Sequence, residues 1–109
     1  EWHQTYGGDA LEYGFDIIEY EDGYVFTGST SSYGTKFYDI WVLKIDDSGN
    51  LIWDMIYGGP LIDIGRSIIQ NPEGGLTLLA QTSSYGSGEY DFWVLKMNEF
   101  GVVAVSDSL

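Results

Sequence analysis

Acidic side chains dominate the chemistry this sequence can offer: 17 Asp and Glu stand against 4 Lys and Arg, for a formal charge of −13. His3 is the only histidine and there is no cysteine. Zinc ligation by His and Cys, a Ser-His pair within one chain and thiolate or disulfide chemistry therefore find too few residues. Asp16 and Glu19 have the residue types of a glycosidase dyad. With 17 acids, however, some pair always shows a suitable spacing, and this one carries little weight. Asp46-x-Ser48-x-Asn50 presents oxygen donors of the kind calcium takes. It lacks the bidentate Glu and further donors of an EF-type loop, and an Asp/Asn/Gly turn accounts for the same residues. No catalytic or metal residue is assigned, and the chain reads as not an enzyme. No cofactor is expected; calcium at the acidic loops is the only one the residues bring to mind.

The charge also bounds the partners. A surface of this sign repels phosphate backbones, which excludes nucleic acid as a partner. Anionic membrane surfaces are disfavoured for the same reason, and no apolar run approaches a membrane span. Solubility explains the acidity without a specific cation role. The chain starts at Glu1 and is rich in Tyr, Gly, Ser and Asp but poor in Lys. Both features lead us to expect an extracellular or cell-surface protein whose leader has been removed, or an excised fragment.

These residues recur in blocks. Trp2-x-x-x-Tyr6-Gly7-Gly8 returns as Trp53-x-x-x-Tyr57-Gly58-Gly59, 51 positions on. Gly14-x-x-Ile17-Ile18 returns as Gly65-x-x-Ile68-Ile69. Thr30-Ser31-Ser32-Tyr33-Gly34 returns as Thr82-Ser83-Ser84-Tyr85-Gly86, and Tyr38-Asp39-x-Trp41-Val42-Leu43-Lys44 as Tyr90-Asp91-x-Trp93-Val94-Leu95-Lys96, both 52 positions on. The added residue belongs to the Glu73-Gly74-Gly75 turn. Self-similarity at this period marks a repeat architecture, with a first repeat over 1–51 and a second over 52–109.

Each repeat divides into four strands. Phe15 to Tyr20, Tyr24 to Ser29, Ile40 to Ile45 and Leu51 to Ile56 form the first set. Arg66 to Gln70, Leu76 to Gln81, Phe92 to Met97 and Val102 to Val105 form the second. Asp22-Gly23, Asp46 to Asn50, Asn71 to Gly75 and Asn98 to Gly101 supply the turns, where Gly takes positive φ without steric cost. The third strand is the most informative. Side chains alternate between faces, so Trp41, Leu43 and Ile45 point one way and Ile40 and Val42 the other, with Lys44 ending that side. Apolar residues on both faces predict a sheet covered on both sides, as adjacent propeller blades cover each other.

The order W-x-x-x-YGG, G-x-x-I-I, T-x-S-x-G and D-x-W-V-L-K resembles the propeller-type repeats of secreted bacterial and archaeal surface proteins. The resemblance spans nearly the whole chain and implies blades with the first strand near a central axis and the fourth outermost. It implies a fold far more than an activity. Two departures stand out: no Trp stands near Val105, and no third Tyr-Gly-Gly follows.

The expected fold is therefore all-β, two four-stranded antiparallel propeller-like blades completed by self-association. Propellers hold about four to eight blades, so two leave apolar faces in water at roughly 25 cal/mol per Å². Trp2 to Tyr6 matches a fourth strand yet precedes the first set, and this surplus strand can add to a neighbouring copy. The residues expected at self-association are Trp2, Tyr6, Trp53, Tyr57, Val103 and Val105. The resulting expectation is a structural protein assembling with copies of itself into a ring, tube or filament. A lectin-like module is the alternative. Aromatic faces beside carboxylates can stack on and hydrogen-bond a sugar, which makes Tyr33, Tyr38, Asp39, Tyr85, Tyr90 and Asp91 a candidate glycan face. Bracing of turns and junctions explains the same residues and is the preferred reading.

Overall fold

Short runs of β-branched and aromatic residues, broken every six to nine positions by Gly, Asp or Asn, leave the backbone strands joined by tight turns. The computed structural model describes residues 1–34, 37–86 and 89–103 and the backbone of Asp107 and Ser108. Its strands are β1 (Glu12–Tyr20), β2 (Gly23–Thr30), β3 (Asp39–Asp46), β4 (Leu51–Tyr57), β5 (Asp63–Gln70), β6 (Leu76–Thr82), β7 (Asp91–Met97) and β8 (Asp107–Ser108). Among the described residues there is no helix. The protein is all-β.

Strands β1 to β4 form one antiparallel sheet in sequence order, and β5 to β8 form a second in the same order. The expected strands are present, with two differences at the ends. Trp2 to Tyr6 belongs to no strand. Of the fourth strand of the second set, the described residues show a bridge between Val103 and Met97 and the two-residue β8 paired with β7. Val105 lies outside the described residues. The sheets are also offset from the sequence period. Because β4 completes the first sheet, the division between the sheets falls in the connection 58–62.

A β-bulge interrupts the first strand of each sheet, at Phe15 in β1 and Arg66 in β5. A bulge aims one residue out of the ladder, and here the two bulged residues meet. The Arg66 guanidinium carbon lies 4.6 Å from the centre of the Phe15 ring, within cation–π range.

The sheets pack face to face. Tyr20, Val25, Ile40 and Val42 of the first sheet bury against Ile68, Leu76, Leu78, Ala80, Trp93, Leu95 and Met97 of the second. Trp53 and Tyr57 of β4 pack on the same core. The strand β3 is buried along Asp39 to Ile45 on both faces. In β7, only alternate residues are buried.

Candidate functional site

A clasp built around the first residue of a strand, an acid, recurs at the start of each sheet. In the second sheet Asp63, fully buried, accepts hydrogen bonds from the Gly59 amide at 2.9 Å, the Ser84 hydroxyl at 2.9 Å and the Thr82 hydroxyl. In the first, Glu12 accepts from the Gly8 amide at 3.2 Å and the Thr30 hydroxyl at 2.8 Å. Hydrogen bonding from Ser32, then from Thr30 and Gly8, outweighs partial burial and lowers the Glu12 pKa below its ordinary value. Serine hydroxyls extend the clasp. Ala10 and Leu11 amides donate to Ser32 and Ser31 at 2.9 and 3.0 Å, as Leu61 and Ile62 donate to Ser84 and Ser83 at 3.0 and 2.9 Å. The Tyr-Gly-Gly and Thr-Ser-Ser blocks are thus two sides of one clasp. Sequence reasoning missed its acid, although Glu12 and Asp63 are both acids at the repeat spacing of 51.

Aromatic hooks recur beside the clasp. The Tyr57 hydroxyl donates to the carbonyl of Gly101, and Trp53 sits over the same glycine. One repeat earlier, the Tyr6 hydroxyl donates to the carbonyl of Gly49, Trp2 sits over Gly49, and Trp2 Nε1 donates to the Asp47 carbonyl at 2.9 Å. Gly49 and Gly101 have φ of +90° and +79°, and a Cβ there would stand 2.6 and 2.5 Å from the Trp rings. Only glycine meets both demands. Burial raises the Tyr57 pKa, and burial followed by the Asp46 charge raises that of Tyr6.

Residues 2–12 thus sit on the first sheet as 53–63 sit on the second. The difference is that Trp53 to Tyr57 also belongs to β4 and pairs with β3, Tyr57 opposite Ile40 and Trp53 opposite Lys44. Trp2 to Tyr6 has the side-chain contacts of an outer strand without the ladder.

The interface between the sheets is repeated as two open halves. On the first sheet, Phe15, Ile17 and Phe26 occupy the positions that Arg66, Ile68 and Leu78 hold on the second. With Trp2, Tyr6 and Ile45 they line an apolar cleft of about 540 Å³. On the second sheet Ile69, Leu79, Phe92 and Val94 occupy the positions of Ile18, Thr27, Ile40 and Val42 on the first. Ile17 is 57% exposed, Ile69 58% and Phe92 73%. A closed interface therefore lies between two faces of the kinds that compose it.

Of the residues expected at self-association, Trp2 and Tyr6 lie at the first open face. Trp53, Tyr57 and Val103 pack inside the chain, against the core between its sheets. The candidate glycan residues other than Tyr90 have partners within the fold, though Tyr33 and Tyr85 stay partly exposed. Tyr33 stacks on Trp41 with centroids 5.1 Å apart and donates to the Gly7 carbonyl at 3.1 Å. Tyr85 meets Trp93 at 4.9 Å and the Gly58 carbonyl at 3.5 Å. Tyr38 packs on Tyr13 at 5.7 Å, and Asp39 is buried. Tyr90 remains exposed beside the half-buried Asp91.

The acids considered for chemistry are likewise occupied. Asp16 and Glu19 stand three positions apart beyond the bulge, on opposite faces of β1, so they form no carboxylate pair. Asp46 accepts from the Ser48 and Asn50 amides, each at 2.9 Å, and from the Asn50 side-chain amide at 3.1 Å. These bonds lower its pKa, the Asn50 amide first. Asn98 closes the matching turn without a charge, accepting from Phe100 and Val102 at 2.9 and 3.0 Å. Among the described residues no three His, Cys, Asp or Glu side chains cluster as metal ligands, and no helix is long and apolar enough to cross a membrane. No known protein family and no curated protein matches the chain.

Proposed function

We propose that this chain is a non-enzymatic structural protein of two propeller-type blades, which stack on each other and continue that stacking into further copies. One observation carries the reading: the two faces that meet between the sheets recur, open and apolar, on opposite sides of the pair. Each large side chain buried there contributes on the order of 1 kcal/mol when it starts about half exposed. A contact of one face with the opposite face of a second copy is heterologous. It closes into a ring if the rotation returns on itself, and otherwise grows as a tube or filament. Tyr33 and Tyr85 brace the clasp through the Gly7 and Gly58 carbonyls, which supports the structural role over the lectin-like one. The Lys-poor, Tyr- and Gly-rich composition supports an extracellular or cell-surface setting.

Sedimentation across a range of concentrations tests this. Multiples of 12.2 kDa are expected, reduced to monomer by Phe92→Asp with Leu79→Glu while the β-sheet circular dichroism is kept. A wild-type chain that remains monomeric at all concentrations overturns the proposal.

A further inference from the structure

We infer that Gly14 is the seat on which Leu79 and Phe92 of a second copy pack, so that a strand glycine the single chain does not need fixes the register of the stack. The inference rests on the stacking reading and names its point of contact.

Gly14 and Gly65 hold the same position in the two repeats, each just before the bulge of its first strand. Their surroundings differ. Gly65 is buried. A Cβ there would run into the Thr27 hydroxyl and stand 3.2 Å from both the Gly28 carbonyl oxygen and Ile40 Cγ2. All three belong to the first sheet, so Gly65 is a glycine because the other sheet comes down on it. Gly14 is exposed. A Cβ there would meet no atom of the described residues within 4 Å, its chain neighbours apart, and its φ lies outside the left-handed region. Glycine inside a strand weakens it, and its usual justification is the close approach of another chain segment. Among the described residues nothing makes that approach to Gly14.

The repeat relation says what does. Thr27 and Ile40, which roof Gly65, correspond to Leu79 and Phe92 one repeat later. Both are exposed on the open face of the second sheet. Let the second sheet of one copy lie on the first sheet of the next as the first lies on the second in this chain. Leu79 and Phe92 then come down on Gly14. They are larger than Thr27 and Ile40, and the cleft of about 540 Å³ that Gly14 lines with Phe15, Ile17 and Phe26 gives them room. A side chain at position 14 would stand where Leu79 enters.

Substitution at Gly14 therefore separates assembly from fold. Sedimentation at graded concentrations reads the first; urea unfolding in the Phe92→Asp with Leu79→Glu background, which does not stack, reads the second. Gly14→Val is expected to weaken association about tenfold or more, the effect of overpacking a close contact. It is expected to leave the urea midpoint at or above that of its parent, because valine suits a strand better than glycine. Gly65→Val is expected to lower that midpoint strongly. The contact is heterologous, so each change blocks one side only. Gly14→Val keeps the Leu79 and Phe92 face, and Phe92→Asp with Leu79→Glu keeps the seat. At a concentration where each alone is monomeric, their mixture is expected to form a dimer of twice 12.2 kDa and to grow no further. An assembling wild type whose Gly14→Val variant associates equally well, or a mixture that stays monomeric, overturns the seat at Gly14 and leaves stacking intact. So does a Gly14→Val midpoint as low as that of Gly65→Val, since the glycine then serves the chain's own fold. A wild type that never assembles overturns both.

Discussion

Asp16 joins the two sheets at a single carboxylate, and its removal should cost about 2 kcal/mol of stability. Its Oδ2 accepts from the Ile68 amide at 2.9 Å and from the Ser67 hydroxyl at 3.3 Å, while Oδ1 accepts from its neighbour Ile17 at 3.0 Å. The bulges explain the arrangement: each first strand leaves an amide just past its bulge, Ile17 in β1 and Ile68 in β5, turned to this carboxylate. Ile68 is 1% exposed, so water does not replace the lost acceptor. A hydrogen bond to a charged group is worth about 1.5–3 kcal/mol, and an unsatisfied buried amide costs about 1–3 kcal/mol by the same loss. The long Ser67 bond adds little, and the half-buried position of Asp16 keeps the total near the lower part of that range. Asp16→Ala should therefore lower the urea midpoint by about 1 M, taking a slope near 1.5–2 kcal/mol per M. Tryptophan fluorescence at one fixed protein concentration reads it. Asp16→Asn keeps an acceptor oxygen and should lose less than half as much. Ser67→Ala should fall within about 0.5 kcal/mol of wild type, because its bond is long. If Asp16→Ala unfolds within about 0.5 kcal/mol of wild type, the carboxylate does not bridge the sheets as described.

Other expectations follow from the repeated contacts. Asp63→Ala removes three bonds to a buried acid and should cost about 3 kcal/mol, measured by thermal or urea unfolding; the half-buried Glu12 should lose less on Glu12→Ala. Gly101→Ala places a methyl against Trp53 at positive φ and should cost at least about 1 kcal/mol, with a change in Trp emission. Stability should fall in acid. Glu12 and Asp46 have folded pKa values below their ordinary 4.5 and 3.8. Their contributions are complete above those values and disappear as pH drops through the lower, folded ones. Glu12→Gln and Asp46→Asn should each flatten that acid limb in pH-dependent unfolding. At the other end, Tyr6, Tyr20 and Tyr57 are raised above 10.0, chiefly by burial. Their contribution is complete below 10.0 and is lost as pH rises through the folded values, so tyrosinate absorbance should appear together with alkaline unfolding.

Much of the local fold is legible in the residues. Alternation in Ile40 to Ile45 marks a strand with two apolar faces, and β3 is buried on both. Asp46 to Asn50 reads as a turn, and Asp46 closes it with its own side chain. The clasp acids were harder to find. Glu12 and Asp63 differ in length, lie outside the blocks of identity, and acquire meaning only when the Tyr-Gly-Gly loop, four residues before each, and the Thr-Ser-Ser loop, some 20 residues after, close around them. Asp16 was legible as an acid with a nearby Glu19, but the strand period puts those two on opposite faces. Its true partners lie 51 and 52 positions along the chain, beyond any local pattern.

Lys44 and Lys96 show where the division falls. Both end the same D-x-W-V-L-K block, in the same strand of the same kind of sheet. Lys44 is 3% exposed, with its ammonium 3.2 Å from the Ile45 carbonyl and 5.9 Å from the centre of the Tyr20 ring. Lys96 keeps its side chain 69% exposed and pairs with Glu73 at 3.4 Å. Backbone conformation and alternation depend on near neighbours, so identical blocks dictate identical strands. Burial depends on what covers the sheet, and a second sheet lies over Lys44 while none in this chain lies over Lys96. Residue order alone settles two repeated all-β units; only the packing of one upon the other decides which of their matching faces is core and which remains open.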